Sequence, residues 1–186
     1  MEVKRMVLEY LAEKPSPRNI KYLLIFSIIL LFIVYPFLTW LFLISYPVSF
    51  IESQLSFSGT AIKAFNNVAN IELYRLANIL DYGFMVSYGG IFFSLGLIIA
   101  RKLEKGSIWR SIGYIMVFLA LIAPSCDAIE NAFILLMLSD PLAFPDVWAV
   151  IHSWFALIKY IIMFIGFGWI FIAIVKLIIV KKAKNT

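Results

Sequence analysis

Four long apolar runs divide the chain, and charged and turn-forming residues gather in the short segments between them. A helix needs about 20 apolar residues to cross a hydrocarbon core of roughly 30 Å, and each run meets that length. The pattern predicts membrane-spanning helices over residues 23–46, 76–100, 109–138 and 147–175. The third and fourth exceed a perpendicular crossing and are expected to tilt or project beyond the bilayer. Pro36 and Pro124 fall inside the first and third runs, where a missing N–H predicts kinks. The expectation is an all-α membrane protein, a four-helix transmembrane bundle forming one membrane domain over residues 1–186, without internal repeats.

Two stretches outside the runs also carry helical spacing. Val3, Met6, Val7, Tyr10 and Leu11 alternate with charges ahead of Pro15 and Pro17, which predicts an N-terminal surface helix. In the loop 47–75, Ile62, Phe65, Val68 or Ala69, Leu73 and Leu76 predict an amphipathic helix that lies on the interface or caps the bundle. For both, membrane anchoring is the plainer reading than a specific binding role.

Composition agrees with the runs. Hydrophobic residues make up 63% of the chain, against roughly 45–50% in soluble domains, and mean hydropathy is +0.95. The net charge of +5 has its meaning in its placement. Lys4, Arg5, Lys14, Arg18 and Lys21 precede the first run, Arg101, Lys102, Lys105 and Arg110 join the second and third, and Lys176, Lys181, Lys182 and Lys184 follow the fourth. The other two connections hold only Lys63 and Arg75, beside Glu52, Glu72, Asp140 and Asp146. Positive residues concentrate on the cytoplasmic side of a membrane. Both termini and the middle connection are therefore expected in the cytoplasm of a multi-pass protein of the cell membrane. No basic patch is interleaved with stacking aromatics, so nucleic acid is excluded as a partner. A cleaved signal peptide is not expected, because an h-region runs to roughly 7–15 residues and the first run is longer.

The single cysteine, Cys126, excludes an internal disulfide and reads as a small packing residue. The single histidine, His152, excludes a multi-histidine zinc site. No cofactor motif occurs. Gly83, Ser87, Gly90 and Ser94 form a stripe of small residues on the second run, which predicts close helix packing within or between chains.

Ionisable residues inside spans are costly and face the bundle interior or a cavity. Here they are Asp81, Asp127, Glu130 and Lys159, with Tyr88, Asn131 and His152 nearby. Asp127, Glu130 and Asn131 share one helical face, as do Asp81 with Tyr88 and His152 with Lys159. At about 1.5 Å per residue, Asp127 and Lys159 both lie about 16–18 Å from the outer ends of their helices, Glu130 about 12 Å, and Asp81 and His152 about 6–8 Å. Three helices of alternating direction thus place polar groups in the same half of the membrane. Three carboxylates face one lysine, so a protonated carboxyl, a cation or a basic ligand group is needed for balance, with Arg75 within reach from the loop.

Gln54, Leu55, Ser56, Phe57 and Ser58, then Leu73, Tyr74 and Arg75, then Asp81, Tyr82, Gly83 and Phe84 with Ser87, Tyr88 and Gly89, and finally the D-x-x-E-N pattern of Asp127, Glu130 and Asn131 resemble a group of small four-helix prokaryotic membrane proteins. The resemblance covers roughly residues 50–160. It implies that Tyr74, Arg75, Asp81, Tyr88, Asp127, Glu130, Asn131 and Lys159 belong together. It brings no reaction with it.

The functional expectation is a non-enzymatic pocket for a cation, a proton or a polar lipid headgroup, in transport or sensing. Asp127 and Glu130 are the expected acceptors, Lys159 the counter-charge, Asp81, Tyr88 and Asn131 further ligand groups, and Arg75 and His152 a surrounding shell. Two rivals stand beside it. One is a structural or partner-binding protein, a homo-oligomer included, whose cluster only fixes helix register. The other is a lipid-modifying enzyme with Glu130 or Asp127 as general base, or with a metal among Asp81, Asp127, Glu130 and His152. Elemental analysis separates that last case.

Overall fold

The computed structural model describes residues 10–183, and these are helical without a strand. Four helices are long and apolar enough to cross a membrane: α1, Pro17–Ser45; α4, Ile71–Lys102; α5, Ile108–Met137; and α6, Asp146–Ala183. Two short helices, α2 (Phe50–Gln54) and α3 (Gly59–Val68), fill the loop between α1 and α4. The N-terminal surface helix expected over residues 3–11 lies outside the described residues except for its last two, and residues 10–13 are helical.

Helix starts are set by side-chain caps that satisfy otherwise orphaned N–H groups. Ser16 accepts from Asn19 N–H, Ser49 from Glu52, Ser58 from Ala61, Asn70 from Leu73 and Ser107 from Arg110. Asn70 divides what the apolar spacing joins: Ile62 and Phe65 belong to α3, while Leu73 and Leu76 begin the span. The backbone N–H of Asn70 donates to Ser45 O at 2.9 Å, so the loop leaves and re-enters the bundle at one point.

The spans pack in sequence order, α1 on α4, α4 on α5 and α5 on α6. Half of the most apolar window of α4 is buried, but only 11% of those of α1 and α6. The outer pair therefore presents apolar surface, including Phe32, Leu43, Phe164 and Phe171, while the middle pair forms the core. Among the described residues no packed interface joins α1 to α6, so the bundle is an open row.

The stripe of small residues works within the chain. Gly83 faces Val34, and Gly90 lies so close to Ser27 that a Cβ there would overlap its hydroxyl. Pro124 packs against Gly89 beside the Ala120 carbonyl that its missing N–H leaves free.

Three apolar layers stack along the bundle. Leu97, Ala100, Tyr114, Val117 and Trp169 fill the end near the termini. Met85, Phe92 and Ala123 form the middle, and Leu38, Phe42, Tyr74, Ile134 and Phe144 fill the loop end. The ionisable residues lie between the middle layer and the loop end.

Candidate functional site

α4, α5 and α6 bring Asp81, Tyr88, Asp127, Glu130, Asn131 and Lys159 together. Lys159 Nζ is 2.7 Å from Asp127 Oδ1 and 2.6 Å from Glu130 Oε2. The first contact is an aligned hydrogen bond; the second is a charge contact off the hydrogen-bonding direction, since neither Glu130 oxygen has an aligned donor. The other Asp127 oxygen accepts from Tyr88 at 2.9 Å. Asn131 Nδ2 donates to Asp81 Oδ2 at 2.8 Å and to Asn78 O at 3.1 Å. The equal depth of Asp127 and Lys159 along their helices is what lets them meet.

His152 is fully buried, with Nε2 3.7 Å from Glu130 Oε1 and Nδ1 3.4 Å from Ser153 Oγ. The order Ser153, His152, Glu130 traces a nucleophile, base and orienting acid, but it is not arranged to react. Ser153 Oγ accepts the Phe57 N–H at 3.1 Å, and Ser153 is wholly buried and lines none of the cavities around the cluster. Ser125 is no better placed, because its hydroxyl turns back to Leu121 O at 2.8 Å.

Arg75 does not reach the cluster. It donates to Leu138 O at 2.7 Å, at the C-terminal end of α5 where a cation suits the helix dipole, and approaches Glu72 at 4.0 Å. Among the described residues no three His, Cys, Asp or Glu side chains come together as a metal-ligand set. Lys159 occupies the place between Asp127 and Glu130 where a cation would otherwise sit.

Beside the cluster lies a cavity of about 240 Å³. Asp81, Asp127 and Lys159 line its polar wall, and Tyr35, Leu38 and Thr39 of α1 face Tyr160 and Met163 of α6 across it. Phe50 and Gln54 of α2 stand at the loop end, where Tyr160 OH donates to Gln54 Oε1. The cavity thus occupies the gap that α1 and α6 leave unpacked.

Sequence spacing did not point to Tyr35, Thr39, Phe50, Gln54, Asn78 or Phe84. Asn78 carried a readable signal, being three residues before Asp81 on the same face. Gln54 carried none in its spacing, because a loop residue has no periodicity to tie it to a span, and it entered only through the resemblance. Tyr160, next to Lys159 in sequence, is a hydrogen-bond donor at the cavity.

Comparison with protein-family models, with curated proteins and with solved structures found no match to this chain.

Proposed function

We propose that the chain is a multi-pass protein of the cell membrane with both termini in the cytoplasm, and that its cavity binds the polar head of a membrane-borne amphiphile as a step in transport or sensing. The distribution of Lys and Arg supports the orientation. It puts the loop end outside and the cavity in the outer half of the membrane.

One observation carries the binding reading: Asp81, Asp127 and Lys159 border an unfilled space in the gap between α1 and α6. A cluster whose sole task was helix register would interlock without such a space. The gap also favours an occupant arriving from the bilayer, since α2 stands over the loop end while lipid-facing helices flank the sides. Asp81 and Asp127 serve as acceptors, Lys159 and Glu130 hold the polar wall in place, and Tyr88 and Asn131 fix the carboxylates.

Register pinning keeps a place beside this reading, because Lys159 of α6 contacts two acids of α5. A serine nucleophile has no such support, since neither Ser125 nor Ser153 presents a free hydroxyl to the acids.

The test fills the cavity without touching an ionisable group. Amphiphiles with different heads are added to the purified protein and to Thr39→Trp, and thermal stability is followed. At least one guest is expected to stabilise the wild type and to leave the variant unchanged. Equal shifts in both proteins for every guest would remove the cavity from the function.

A further inference from the structure

The geometry points to a cationic head: an ammonium group carried on an apolar chain. This deepens the binding reading above and rests on it.

The charges of the wall are unevenly used. Lys159 is already held by two carboxylates, at 2.7 and 2.6 Å, so it has no charge to spare for an anion. Asp127 spends one oxygen on Lys159 and the other on Tyr88. Asp81 differs. It is only 7% exposed, and its Oδ2 accepts from Asn131, yet no described residue donates to its Oδ1. A largely buried carboxylate with one oxygen lacking a protein donor is expensive unless the adjoining space supplies a partner, and Asp81 borders the cavity. A donor that is also positively charged answers both needs.

The rest of the lining suits such a group. Tyr35, Phe50, Phe84 and Tyr160 border the same space. Aromatic faces attract cations through the ring quadrupole, and desolvation strengthens the attraction. The wall already holds one ammonium in this way, since Lys159 Nζ lies 5.0 Å from the centre of the Tyr160 ring. Leu38 and Met163 supply apolar surface where a hydrocarbon chain would leave toward the bilayer. An anionic head would meet Asp81 and Asp127 and would have to draw Lys159 away from its partners. A neutral head brings Asp81 a donor at most, and no charge.

The experiment uses the full chain in neutral maltoside micelles. Hexadecylammonium, hexadecyl phosphate and hexadecanol are added as dilute guests, and methylammonium is added to the aqueous phase. Bound guest is counted by native mass spectrometry across a titration. The hexadecyl ammonium guest is expected to bind about tenfold or more tightly than the other two hexadecyl guests. Asp81→Asn should abolish that preference. Tyr35→Leu, an apolar exchange at a half-exposed position, should weaken the ammonium guest by roughly two- to fivefold and leave hexadecanol unchanged.

Phosphate or alcohol binding as tightly as ammonium would overturn the cationic head and leave the amphiphile reading standing. No binding by any hexadecyl guest would overturn the reading itself. Methylammonium binding as tightly as its hexadecyl relative would overturn entry from the membrane. Wild-type selectivity in both Asp81→Asn and Tyr35→Leu would remove the carboxylate and the ring from the site and sink the assignment; if Asp81→Asn does not fold, Tyr35→Leu decides.

Discussion

Tyr160 donates a hydrogen bond to Gln54, and in doing so fastens the last span to the short helix above the cavity. Both residues are held from behind: Gln54 is buried, and Tyr160 follows the ion-paired Lys159. The bond therefore closes the cavity between two anchored elements.

Tyr160→Phe removes the donor and keeps the ring. It is expected to lower stability by about 0.5–1.5 kcal/mol, the range for a single hydrogen bond. A bound guest should also leave faster. Denaturant titration reads the first effect and guest release by stopped flow the second; an unchanged release rate would show that the bond does not gate the cavity.

Lys159→Met should be far more damaging, because it leaves Asp127 and Glu130 buried without their cation. Breaking a buried pair from one side costs about 3–5 kcal/mol. Adding Asp127→Asn and Glu130→Gln to the same protein is expected to restore most of that loss. Unfolding in mixed micelles compares the single and triple variants, and a triple variant no more stable than Lys159→Met would contradict the electrostatic account.

The small-residue contact between α4 and α1 gives a steric prediction. A side chain at Gly90 meets Ser27, whereas one at Gly168 meets nothing within 4 Å. Gly90→Val should destabilise by about 1–3 kcal/mol through overpacking, while Gly168→Ala should be neutral or mildly stabilising. Thermal melts of the two variants side by side check the contrast.

Orientation is open to chemical labelling. In a Cys126→Ser background, Ala143→Cys and Glu104→Cys place exposed thiols in the two connections on opposite sides. A membrane-impermeant maleimide should label the first in intact cells and the second only after permeabilisation. The reverse pattern would invert the topology.

The spans were readable from the sequence because hydrophobic length is a property of a local window. Their ends were not, since caps set them: Ser16 starts α1 well before the apolar run begins at 23, and Asn70 starts α4 before 76. The same blindness merged α3 with the head of α4 and passed over α2, although Ser49 followed by Glu52 is a readable cap. The ion cluster was legible because helical repeat and depth together put Asp127, Glu130 and Lys159 at one level. The cavity was not. It exists because α1 and α6 do not pack together, and no residue in either helix announces a neighbour it lacks. Arg75 misled for a related reason: its proximity in sequence to Asp81 said nothing of the Leu138 carbonyl that claims it.

The open row has a consequence for how this protein is handled. A helix that leans mainly on one neighbour borrows its remaining support from whatever surrounds it, and α1 packs chiefly on α4, with Phe42 also meeting Phe50 of α2. In a bilayer, hydrocarbon chains filling the slit beside α6 would act as a missing wall of the tertiary structure. Extraction replaces that wall with detergent, so the length and shape of the solubilising tail become variables of the native state itself.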